Sequence, residues 1–257
     1  MHQHAVGLVF WYGMISALAT GLGAIPFIFI KKMTPKTIGV FSAIAAGLMA
    51  GASFGLLQEA ADMDRLKMII GFLLGIIFIG LINLVIYYFK KTKLHLDKEA
   101  GIWDKVRGNF GKNFTVTVIL IIIMTAHSAA EGIGIGTSFA GTIRFGIMMS
   151  VAIAIHNIPE GLAISSVLVR NGASWFNAML WSIFTSLPQP LLAVPAYLFI
   201  LDFKPYVPLG LGLAAGAMIW LVFSDVAPES AEQIGGENAA TIITLSITAM
   251  LFIQYML

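Results

Sequence analysis

Apolar residues fall into eight long blocks separated by short polar or charged interruptions: 5–30, 37–59, 67–89, 114–138, 142–169, 175–200, 207–227 and 238–257. A helix rises about 1.5 Å per residue, so each block is long enough to cross the ~30 Å hydrocarbon core of a bilayer. The seventh is punctuated by Gly210, Gly212 and Gly216 yet keeps a spanning length. Residues 1–257 therefore read as one all-α transmembrane domain, an eight-helix bundle with little chain outside the bilayer. Glycines recur every four residues on several spans: Gly47, Gly51 and Gly55; Gly71 and Gly75; Gly132 and Gly136; Gly212 and Gly216. Such stripes let helix backbones approach closely.

The polar interruptions give the bundle a direction. With eight spans the connections alternate sides, and one side collects Lys31, Lys32, Lys36, Lys90, Lys91, Lys93, Lys98, Lys105, Arg107, Lys112 and Arg170. The other collects only Arg65, Lys67, Arg144 and Lys204. Cytoplasmic loops carry the excess of Lys and Arg, so the first set is expected inside and both termini outside. The longest connection, 90–113, is then a cytoplasmic, solvated segment. Composition agrees: 58% hydrophobic residues, 11% charged and a mean hydropathy of +0.90, against about 25% charged in a soluble domain. This points to a multi-pass protein of the lipid bilayer, with the cell membrane as its expected location. There is no cysteine, so disulfides and thiolate metal sites drop out. A net charge of +2 without a basic, aromatic-rich face gives no support for nucleic-acid binding.

Two copies of a six-residue pattern lie near the centres of the fourth and fifth blocks: His127-Ser-Ala-Ala-Glu131-Gly132 and His156-Asn-Ile-Pro-Glu160-Gly161. A His and a Glu four apart share one helix face, so each copy offers an imidazole nitrogen and a carboxylate to one point. The two blocks are antiparallel neighbours joined by a few residues, which brings the two motifs together at one depth. Glu131 and Glu160 are the only acids expected at mid-membrane, where a charge is costly and is kept for a use. Pro159 removes a backbone donor, leaves the carbonyl of Ile155 without its helical partner and bends the helix beside the motif. Imidazole with carboxylate suits a divalent transition metal, zinc first, with Cd²⁺, Fe²⁺ and Mn²⁺ as alternatives; Mg²⁺ and Ca²⁺ prefer oxygen alone.

On these residues the chain resembles the ZIP family of divalent-metal transporters, in its bacterial branch. The resemblance covers the whole chain and rests on HSAAEG, HNIPEG, the eight spans and the outward termini. It implies a 3+2+3 bundle with inverted three-helix repeats flanking helices 4 and 5, a metal site between those two, and uptake towards the cytoplasm, in a homodimer. Carried over, the principal site is His127, Glu131, His156 and Glu160, with Met49 as a further thioether ligand. A second, weaker site falls on Ser128, Asn157 and Gln189, where some members place additional acids. Glu59, Asp62 and Asp64 at the outer ends of spans, and Asp225, Glu229, Glu232 and Glu237 near the inner end of the seventh, are candidates for a pathway. His2 and His4, and His95 in the long connection, are the remaining histidines.

The expected cargo is the metal itself, with no prosthetic group and no enzymatic turnover. Two other readings stay open at this point: an intramembrane metal-dependent enzyme, and a proton-coupled transporter of a non-metal substrate. The first lacks a His-Glu-x-x-His motif, and the second fits paired histidines less well than a metal does. No Walker A pattern is present, so transport would run on gradients.

Overall fold

The computed structural model describes residues 2–30, 32–93 and 114–256; residues 94–113, with His95, lie outside these, as do the side chains of His2 and His4. Among the described residues there is no strand, and eight helical segments are long and apolar enough to span a membrane. The eight expected blocks are these eight segments, so the chain is an integral, multi-pass membrane protein.

Differences from the expected boundaries have local causes. The first helix, His2–Leu22, ends among Gly21 and Gly23, and a 3-10 turn over Ile25–Ile28 follows. The second, Pro35–Met63, starts at a Thr34 cap whose hydroxyl accepts from the Thr37 amide, with proline in the first turn where no donor is missed. The third runs Arg65–Lys93, the fourth Phe114–Gly141 and the fifth Ile143–Arg170. The sixth is divided at Leu187 into Trp175–Ser186 and Pro188–Asp202, because Pro188 and Pro190 offer no amide to the turn before them. The seventh begins as Val207–Leu221, widens to a π-helical turn over Val222–Val226 and continues as Ala227–Ile234, well past residue 227. Pro228 accounts for the wide turn: it cannot bond back to Ser224, and the amide of Ala227 reaches Val222 instead. Gly235 alone, at φ +84°, then turns the chain into the eighth helix, Gly236–Met256.

Connections two-to-three, four-to-five and six-to-seven meet at one end of the bundle, where Met63, Asp64, Gly141, Lys204 and Pro205 line one cavity. Lys36, Gln233, Ile234 and Asn238 meet at the other end. The packing is internally symmetric. The third span lies on the seventh as the eighth lies on the second; the first lies on the fifth as the sixth lies on the fourth; the second touches the fifth as the seventh touches the fourth. Exchanging spans one, two and three with six, seven and eight, and four with five, maps these contacts onto one another. Each exchanged pair runs in opposite directions, as inverted repeats require.

Glycine stripes make the tightest of these contacts. Gly71 and Gly75 face the carbonyls of Leu209 and Leu213, while Gly212 and Gly216 face those of Met68 and Phe72, so the third and seventh backbones touch along both stripes. The fourth and fifth spans sit between the two repeats, and their central residues are buried: His127, Ser128 and Glu131 on one, His156, Asn157 and Glu160 on the other.

Candidate metal centre

The two motifs meet as their spacing predicts. Glu131 Oε1 lies 2.7 Å from His156 Nε2 and 3.2 Å from His127 Nε2, and Glu160 Oε2 lies 3.6 Å from His127 Nε2. One ligand atom from each of the four residues falls within 4.8 Å of the others, and all four side chains are buried. Ligands about 2.1 Å from a tetrahedral zinc stand ~3.4 Å apart. Two of the measured separations, 3.2 and 3.6 Å, bracket that edge, and the third, 2.7 Å, is a hydrogen bond that would open by less than 1 Å. His127 Nε2 is buried and has no partner in hydrogen-bond geometry, as expected of an atom whose partner is an ion. Two carboxylates also balance one dication, which removes most of the cost of holding charge away from water.

Behind this group lies a second layer of polar side chains. Gln189 Nε2 donates to Glu131 Oε2. Gln189 Oε1 accepts from Asn157 Nδ2 at 3.2 Å, and the same nitrogen donates to the carbonyl and hydroxyl oxygens of Ser16 at 3.0 and 3.1 Å. Ser128 Oγ and Asn157 Oδ1 are buried without partners.

The glycine that ends each motif explains how these groups arrive. A Cβ on Gly132 would stand 2.8 Å from the carbonyls of Pro188 and Gln189, so the divided sixth span can press its break against the fourth and deliver Gln189 to Glu131. A Cβ on Gly161 would run into the carbonyl of Thr20 on the first span. One turn back along both helices, Ser16 reaches Asn157. The two contacts are counterparts under the exchange of spans one and six. Ser16 is the participant that sequence reasoning missed; the only signal for it was the second glycine, noted there as the last residue of its motif.

Other candidates are placed more loosely. Met49 is buried in the core of the second span, and its carbonyl accepts from Ser53 Oγ. Glu59 and Asp62 line a cavity of about 510 Å³ at the end of the bundle that carries the four-to-five connection, with Arg144, Met148, Gln254 and Tyr255. Asp64 is half-buried; its carboxylate accepts from the Lys67 amide and pairs with Lys67 Nζ, both at 3.1 Å, and these contacts hold its pKa below the usual carboxylate value. Asp225 sits in the π-helical turn and is exposed, and its carboxylate accepts from Ser224 Oγ at 3.0 Å. Glu229 follows one turn later and accepts from Gln233. Glu232 and Glu237 are exposed near the same end.

Comparison with known proteins supplies the context for this centre. The ZIP Zinc transporter family model matches residues 90–252. A candidate zinc transporter of Arabidopsis thaliana is 41% identical over 249 residues, covering 96% of this chain; the chain spans only 38% of that protein's length. The zinc transporter ZIPB of Bordetella bronchiseptica is 31% identical over 97% of this chain and 81% of its own length. The zinc transporter GufA of Myxococcus xanthus is 28% identical over 89% and 90%. A match over more than half of the sequence, together with the similarity to ZIPB over nearly all of it, places this chain in the ZIP zinc transporter family.

Proposed function

We propose that the chain is a secondary transporter that takes up a divalent transition-metal ion, zinc foremost, across the membrane towards the cytoplasm through the centre between the fourth and fifth spans. The observation that carries this reading is the convergence of His127, Glu131, His156 and Glu160 from two adjacent helices. Zinc is the substrate. The two imidazoles and two carboxylates bind it, replacing the hydrogen bonds they make to each other. Binding needs neutral His and ionised Glu, so protons leave as the metal enters. Cd²⁺, Fe²⁺ and Mn²⁺ fit the same donor set less selectively.

Met49 is the proposed thioether ligand from the second span. Glu59 gathers cations at the outer mouth, and Asp225 and Glu229 receive them below the centre. Ser128, Asn157 and Gln189 offer neutral oxygens beside the principal site and so at most a weak neighbour to it. The excess of basic residues on one set of connections supports termini outside the cytoplasm and residence in the cell membrane. The homodimer is a proposal from family resemblance. Neither an enzyme nor a non-metal carrier accounts for four convergent N and O donors and zinc-transporting relatives together.

The test is zinc uptake into proteoliposomes, with Glu131→Ala/Glu160→Ala alongside and Cd²⁺, Fe²⁺, Mn²⁺ and Mg²⁺ as competitors. Uptake should vanish in the double variant and resist Mg²⁺. Uptake unchanged by the substitutions would remove the centre from the transport path.

A further inference from the structure

At the end of the bundle opposite the four-to-five connection, a cavity of about 390 Å³ opens between the second, seventh and eighth spans. Small-molecule sites occupy roughly 300–1,000 Å³, so it has room for a ligand. Its walls are of two kinds. Lys36, Gln233, Asn238 and Thr241 are polar, and Val40, Ile234 and Ile242 are apolar. The two kinds are layered by depth. Lys36 and Asn238 lie in the first turns of the second and eighth spans, and Val40 and Ile242 stand four positions after them, on the same faces and one turn deeper.

The polar wall has donors to spare. Asn238 Nδ2 gives one hydrogen to the Ile234 carbonyl at 2.8 Å and keeps one, and Gln233 Nε2 gives one to Glu229 Oε1 at 3.2 Å and keeps one. Thr241 gives its hydrogen to the Glu237 carbonyl and can still accept. Lys36 is exposed, and its ammonium has no ion pair or hydrogen bond among the described residues. No acid lines the cavity: Glu229 is engaged by Gln233, and Glu232 and Glu237 lie outside the lining. One uncompensated cation and free amide hydrogens at headgroup depth, with apolar side chains one turn deeper, match a ligand that is anionic at one end and apolar at the other.

We propose that this cavity holds an anionic phospholipid, with its phosphate on Lys36 and Asn238 and its acyl chains over Val40 and Ile242. Pockets between spans that carry basic residues recognise anionic headgroups in this way. A free phosphate would use the donors and leave the apolar wall without a partner. The lipid bridges the second span to the joint at which Gly235, at φ +84°, turns the seventh into the eighth. Gly39 brings that joint close, since a Cβ there would stand 2.7 Å from Gln233 and 2.8 Å from Ile234. Occupation therefore braces three spans at once and raises Tm, independently of the metal centre.

Native mass spectrometry of the full-length protein, delipidated in detergent and titrated with phosphatidylglycerol or phosphatidylcholine of the same acyl chains, tests this. Thermal unfolding is followed in the same lipids and in inorganic phosphate. The parent should bind phosphatidylglycerol roughly tenfold more tightly than phosphatidylcholine, the scale of one charge-assisted contact, and unfold at a higher temperature with it. Lys36→Gln should lose this preference. Lys36→Arg, which keeps the charge, should retain it, as should Lys32→Gln, which removes an exposed lysine outside the cavity. Equal binding of the two lipids by the parent overturns the proposal. So does a preference that survives Lys36→Gln, or one that Lys32→Gln abolishes as fully, because either assigns it to basic surface at large. Inorganic phosphate that raises Tm as much as the lipid does makes the occupant a free anion and also overturns it.

Discussion

Gly161→Ala adds one methyl group, and its effect can be worked from the contact it would break into. The new Cβ falls against the carbonyl of Thr20, and both partners are backbone, so no side chain can swing aside. Ordinary contact begins near 3.4 Å, and the available gap is more than 1 Å short of that. The first span must therefore retreat from the fifth. Overpacking of this kind costs about 1–3 kcal/mol. The retreat also stretches the Asn157 to Ser16 bonds, now 3.0 and 3.1 Å, past useful length. Each is worth about 0.5–1.5 kcal/mol. The sum is about 2–6 kcal/mol, which at the usual 2–4 °C per kcal/mol for a chain of this size lowers Tm by about 4–24 °C. Gly80→Ala is the control, because its Cβ would meet nothing within 4 Å, and it should leave Tm within a degree or two. The assay is thermal unfolding of both variants in detergent, followed by zinc uptake in liposomes. Gly161→Ala should lose uptake even at temperatures where it remains folded, since the retreat also loosens Asn157. A Gly161→Ala protein with the parent's Tm and uptake would refute the close contact between spans one and five.

Zinc should protect the parent against heat and leave Glu131→Ala/Glu160→Ala unprotected; at 100 times Kd the stabilisation is about 2.7 kcal/mol, read as a Tm shift. Thr20→Val removes the 2.8 Å hydroxyl contact to Ser186 between the first and sixth spans, and should cost about 1 kcal/mol in chemical unfolding while zinc stoichiometry is unchanged. Asp64 carries its charge more readily folded than unfolded, because Lys67 donates to it. Its contribution is thus present above the unfolded value near 3.8 and is lost as pH falls through the lower folded value. Asp64→Ala should then unfold more easily than the parent at pH 7, with the gap closing on acidification to about pH 3 in parallel Tm scans.

The four residues that converge at the candidate centre were legible because ionisable residues inside apolar runs stand out, and because i to i+4 spacing on two antiparallel helices leaves few alternatives. The spans were legible for the same reason, since length and hydropathy are local properties. What the chain hid depends on contacts between distant segments. Ser16 is one hydroxyl in an apolar helix, and its partner lies 141 residues away. The division of the sixth span at Leu187 follows from Pro188 and Pro190, yet its place against Gly132 follows from packing. The seventh span runs on past residue 227 through the π-helical turn at Val222–Val226, and a run ended at residue 227 could not anticipate it.

The symmetry of the bundle sharpens the chemistry because it is broken at the centre. Under the exchange of spans, Glu131 and Glu160 are counterparts, as are Gly132 and Gly161. Packing respects the exchange: each glycine admits the backbone of a span from the opposite repeat, the sixth in one case and the first in the other. Polar chemistry does not. The sixth span delivers an amide that grips Glu131 directly, whereas the first delivers Ser16, which stops at Asn157. Glu131 is consequently fully buried and held by Gln189 and His156, with His127 beside it. Glu160 is 9% exposed, and its one ion-pair contact among the described residues is His127 at 3.6 Å. The proposed ion would thus meet one carboxylate already held by its partners and one with a single imidazole 3.6 Å away; the held ligand supplies geometry at no further cost in side-chain entropy.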